Sequence, residues 1–167
     1  MGVKWRTKVN KFPEMRKNAA ELNGKSVEVG VLGGGEESWL ASIHEYGCTI
    51  PVTPKMRAYL HHQGLHLKET TTTIKIPERS FLRNGYDEKK EEVISGCEAI
   101  LGDALSGSMD TQTFLEALGE MLASGIKDYA RDLSNPANHP FTVERKGSVN
   151  PLEDTGEMIG AISYRVK

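Results

Sequence analysis

Two cysteines, Cys48 and Cys97, are too few for a disulfide framework, so the chain does not read as a small secreted scaffold. No apolar run approaches the ~20 residues that a membrane-crossing helix needs. The first residues lack the apolar core of a signal peptide. Nor does one sign of charge dominate: 21 Lys and Arg against 23 Asp and Glu leave a net charge of -2. That balance excludes a generally basic protein that coats DNA. What is there is ordinary for a soluble globular chain, 38% hydrophobic and 26% charged over 167 residues. A single domain, residues 1–167, is expected, made in a cytosol.

Periodicity supplies an α+β layout. Residues 3–9 alternate, with Val3, Trp5 and Val9 on one face and Lys4, Arg6 and Lys8 on the other, as in a strand with a basic outer face. Pro13 suits the first turn of a helix that carries Met15, Ala19 and Leu22 and stops at Asn23-Gly24. Residues 27–31 alternate again. Ser38 is the expected cap of a helix that turns Trp39, Leu40 and Ile43 inward and ends at Gly47.

Leu65 and Leu67 alternate, and so do Ile74 and Ile76 with opposite parity. This predicts a β-hairpin arm over 51–76, broken by the threonine tract. From Asp87 the period becomes helical. Val93, Ile94, Cys97, Ile100, Leu101 and Ala104 form one stripe, and Phe114, Leu118, Leu122 and Ile126 lie on a second. Gly107-Ser108 divides them, and Thr113 with Glu116 is the expected capping box of the second helix. A long polar loop, 134–153, precedes a last alternating strand, Ile162 to Val166. The expected fold is therefore a mostly antiparallel sheet with N- and C-terminal strands, packed on a two-helix hairpin.

Candidate chemistry is thin. Gly33-Gly34-Gly35 follows a strand but lacks a dinucleotide or P-loop register, and Glu36 and Glu37 would repel a phosphate. His62 and His66, with His61 and His44 nearby, have a spacing that two ligands on a helix would have. Gly64 lies between them, and no further ligand completes a set. Cys97 sits on an apolar stripe, where cysteine behaves as a small hydrophobe. No catalytic residue, cofactor or metal is expected. Between residues 1 and 17, six cations stand against Glu14 alone, which suits phosphate binding or a guarded sheet edge equally.

Three stretches, in order, carry a resemblance: "SIHEYG" at 42–47, "IPERSFLR" at 76–83 and "KGSVNPLEDTGEMIGAISYRV" at 146–166. Together they resemble the virion-morphogenesis proteins of tailed phages, the neck and tail-completion proteins of lambdoid and Mu-like phages and prophages. Ser80 stands where that family usually has Pro, and residues 51–76 look like an insertion.

The resemblance implies a structural virion protein at the head–tail junction, without an active site. Its implied partners are further copies of itself in a hexameric or dodecameric ring, a head-side connector or stopper protein, and a tail tube or terminator protein. Packaged DNA is a further contact, and no membrane is involved. The expected contact residues are Lys4, Arg6, Lys8, His44, Glu45, Tyr46, Arg79, Phe81, Leu82, Asp154, Thr155, Ile162 and Tyr164. Two other readings stay open: a metal-dependent hydrolase or nuclease using His61, His62 and His66, and a nucleic-acid-binding accessory protein using residues 4–17.

Overall fold

A computed structural model of the chain describes residues 10–167. The basic strand expected over 3–9, with Lys4, Arg6 and Lys8, lies outside them. The order is α1 (Phe12–Leu22), β1 (Val27–Val31), α2 (Glu36–Tyr46), β2 (Cys48–Pro51), α3 (Pro54–His62) and β3 (Thr73–Ile76). It continues with α4 (Phe81–Ser106), α5 (Thr111–Asp132), α6 (Pro140–Lys146), α7 (Glu157–Gly160) and β4 (Ile162–Val166). The class is α+β. The described strands, however, form two separate two-stranded ladders, β1 with β4 and β2 with β3, where a single larger sheet was expected.

The two long helices α4 and α5 pack together as a hairpin, and β1 and β4 lie on one side of α5. β4 runs antiparallel to β1, with Val29 opposite Tyr164 and Val31 opposite Ile162. The alternation read from 27–31 and 162–166 thus describes one ladder, whose inner side chains meet α5. Around Ala123, Ile126 and Ala130 of α5 gather Phe81, Met158 and Ile162. Phe81 has no exposed surface. Burying such a ring stabilises the fold by about 1.5–3 kcal/mol. A second cluster, near the hairpin's tip, joins Ala104, Phe114 and Leu115 to Leu22 of α1 and to Val27 and Val166.

Several local expectations failed. α4 starts at Phe81, six residues before the expected Asp87. The cap of α5 is Asp110, whose carboxylate accepts from the Thr113 N–H at 2.9 Å, while Glu116 takes a bond from Gln112. The expected Thr113–Glu116 box is therefore one turn late. Ser38 lies inside α2 and donates back to the carbonyls of Val31 and Gly33 instead of capping. Trp39 is 65% exposed, and Ile94 is also on the surface. Loop 134–153 contains α6, which starts at Pro140.

The arm over 51–76 is half right. Its outer strands pair, Cys48 opposite Ile76 and Ile50 opposite Ile74, but the chain between them is a helix followed by an irregular return. Thr53 caps α3 and Pro54 opens it. Leu65 and Leu67 belong to no strand. The reason is Arg57, whose guanidinium donates to the carbonyls of Leu67, Lys68 and Thr71, so that backbone is satisfied without a ladder partner.

Candidate functional site

The first two motifs meet at the C-terminal end of α2. Gly47 ends that helix with φ +69°, and a Cβ there would lie 2.8 Å from the Glu78 backbone nitrogen and 2.9 Å from the Ile76 carbonyl oxygen. Only glycine allows that approach at that φ. It lets the Arg79 N–H donate to the His44 carbonyl at 2.7 Å, which fixes the HEYG and PERSFLR segments side by side.

Glu45 is 3% exposed and its carboxylate does the work of a cap for a helix it does not belong to. It accepts from the N–H groups of Leu82 at 2.9 Å and Arg83 at 3.2 Å, and from Arg83 Nε at 2.7 Å. Four N–H groups at any helix start lack intrahelical partners, and negative charge is favourable there. Ser80 itself makes no side-chain cap. Its hydroxyl donates to Glu78 Oε1. Arg83 also reaches Glu78 at 2.8 Å and lies over the exposed Tyr46 ring at 5.0 Å.

Arg79, 4% exposed, is a buried cation bound to neutral acceptors. Nε donates to the Pro136 carbonyl at 2.8 Å, one terminal nitrogen donates to His44 Nδ1 at 3.0 Å, and the other donates to Asn138 Oδ1 at 2.9 Å. Arginine has no acceptor to offer, so His44 Nδ1 must carry a lone pair and its proton must sit on Nε2. Burial first, then the charges of Arg79 and Lys146, push the His44 pKa down to about 4. Burial likewise pulls the Arg79 guanidinium below its usual value.

The third motif joins through Asn138 and Asn150. Asn138 Nδ2 donates to the Pro151 carbonyl at 3.5 Å. Asn150 Nδ2 donates to the carbonyls of Ala130 and Arg131 at the end of α5, while its Oδ1 accepts from the N–H groups of Leu152 and Glu153. Asn150 therefore closes one helix end and folds the PLED turn with the same amide.

Of the residues expected at a contact surface, His44, Glu45, Arg79, Phe81 and Leu82 come together here. Phe81 and Ile162 are interior, the latter only 1% exposed, and they serve the chain's own core. Tyr164 packs half-buried on α5, whereas Asp154 and Thr155 are on the surface and Tyr46 is largely so. Arg83, Asn138 and Asn150 were not singled out, because their partners lie tens of residues away or in irregular backbone.

The four histidines weighed as ligands divide between two places. His61 at the end of α3 meets His66 with Nδ1 to Nδ1 at 2.7 Å, and His62 ends the same helix. Among the described residues no three His, Cys, Asp or Glu side chains gather as metal ligands. No described helix is long and apolar enough to cross a membrane.

The His44 geometry sets a pH dependence. The unfolded chain takes up a proton near the ordinary value of 6.5, whereas the folded chain resists it down to about 4. Between those values the unfolded state binds more protons, so stability falls as pH drops from 6.5 towards 4 and then levels off. Urea midpoints measured at pH 7, 5.5 and 4.5 are expected to fall less steeply in His44→Gln, whose amide oxygen can still accept from Arg79. An unchanged slope would assign the effect to another group.

Comparison with known protein families, curated proteins and solved structures finds no match to this chain.

Proposed function

We propose that this chain is a structural virion protein of a tailed phage or prophage, one copy in a hexameric or dodecameric ring that helps to join head to tail. It sits in this reading between a head-side connector or stopper protein and a tail tube or terminator protein. The observation that supports it is the knot just described: HEYG, PERSFLR and NPLED, the three stretches that carry the resemblance, meet through Glu45, Arg79 and Asn138. Their polar groups are spent on one another and on backbone. That suits residues kept to hold a shape, and the function then lies on the surfaces the knot positions, including Tyr46, Asp154, Thr155 and the 51–76 arm. The reading includes no catalytic step and no cofactor.

The test is genetic. Induction of the phage or prophage with this gene deleted is expected to yield DNA-filled heads and separate tails by electron microscopy. Adding the purified chain to that lysate should restore joined, infectious particles. Normal joining without the gene overturns the proposal.

A further inference from the structure

β1 and β4 pack on α5, and a groove of about 650 Å³ opens between α4 and α5. Small residues shape it: a Cβ on Gly96 would come within 2.8 Å of Met121 Sδ. Val93, Ala117 and Met121 make its floor apolar, and Glu92, Glu120 and Asp128 outnumber Lys89 among its charged lining residues. Two of the three already have neighbouring cations, Lys89 at 3.5 Å from Glu92 and Arg131 at 3.0 Å from Asp128. Such exposed pairs are weak and shareable. Along residues 81–133 eleven acidic side chains face only five basic ones, so negative charge is in excess.

An apolar floor with an acidic lining fits an extended segment with apolar residues on one side and long cations on the other. Residues 3–9 have that sequence: Val3, Trp5 and Val9 alternate with Lys4, Arg6 and Lys8. Lys and Arg stems can run along a groove wall while their charged ends reach its carboxylates.

We propose that residues 1–9 of one copy occupy the α4–α5 groove of a neighbouring copy. The place of α1 favours a neighbour over the same chain. Glu14 lies beside Gly107 at the hairpin tip, Asn18 donates to the Leu105 carbonyl, and Leu22 packs near Ala104. α1 therefore lies against the hairpin tip, where Glu21 also accepts from the Thr111 hydroxyl. The near end of the groove, Gly96, is eleven residues of helix back from Gly107, or about 16 Å. A fully extended stretch as long as residues 1–9 reaches about 30 Å, so crossing to the chain's own groove would use about half of it before Trp5 met the floor. The sheet is a poorer seat, because its outward side chains Glu28, Ser163 and Arg165 have no negative excess.

This contact deepens the ring reading, on which it rests for self-assembly, by naming a head-to-tail contact of the kind that closes rings. The test uses the full chain with p-benzoylphenylalanine in place of Trp5, mixing isotope-labelled and unlabelled copies before irradiation. Peptide mass spectrometry is expected to find mixed-isotope cross-links to Val93, Ala117 or Met121. Glu92→Lys with Glu120→Lys should weaken self-association at least about tenfold, and adding Lys4→Glu with Arg6→Glu should restore it. Cross-links confined to one copy, or landing on β1 and β4, overturn the proposal. Rings that form without groove cross-links also overturn it and leave the ring reading standing. A full chain that stays monomeric at high concentration overturns both.

Discussion

Glu45→Ala is expected to lower the free energy of unfolding by about 3 kcal/mol, read as a fall in urea midpoint with an unchanged denaturant slope. The truncation removes the acceptor for two N–H groups at the start of α4 and for Arg83 Nε. Those N–H groups directly follow the wholly buried Phe81, and the carboxylate that serves them is itself buried, so water replaces it poorly. A buried donor left unsatisfied costs about 1–3 kcal/mol, and two are left here. Glu45→Gln keeps one acceptor oxygen in place and should cost roughly half as much. The control is Glu78→Ala, which removes the exposed carboxylate that Arg83 also touches. It should change little, because exposed ion pairs contribute little. If Glu45→Ala destabilises no more than Glu78→Ala, Glu45 is not the cap of α4.

The same residue marks the limit of what the linear sequence discloses. β1, β4 and α5 were legible because their signals are local: alternation over five residues, and apolar spacing over six turns. Pro13 and Gly47 marked helix ends for the same reason. The start of α4 was not legible, since its cap stands 37 residues upstream of Leu82 on another helix. Nor was the return from α3, where one guanidinium, Arg57, satisfies three carbonyls and removes the need for a strand. Capping of α5 failed differently: Asp110 and Thr113 are both good caps, and only the fold chooses between them. The three stretches of the resemblance meet in the fold, but their separate roles were not legible. Arg79 and Glu45 read as surface contacts and turn out to be interior supports.

β4 is held on α5 by the absence of a side chain, and this gives the other large effect. A Cβ on Gly119 would run into Cδ2 of the Tyr164 ring and lie 2.6 Å from its Cγ. The Tyr164 Cβ is itself only 3.0 Å away, so turning the ring aside does not clear the clash. Either β4 or α5 must shift. Such a shift strains the pairing of Tyr164 with Val29 and lifts Ile162 from its place beside Ile126. Overpacking a tight site costs about 1–3 kcal/mol or more, against which alanine's better helix propensity returns at most about 1 kcal/mol. Gly119→Ala is therefore expected to destabilise by roughly 1–3 kcal/mol in urea denaturation, and Gly119→Leu to give little soluble folded protein. Removing the opposing ring should repair part of the damage. Tyr164→Ser alone loses apolar burial, yet in the Gly119→Ala background it should cost much less, a coupling that two independent sites would not show. An increase in stability on Gly119→Ala, the ordinary outcome of replacing an exposed helical glycine, would show that Tyr164 does not rest on this position.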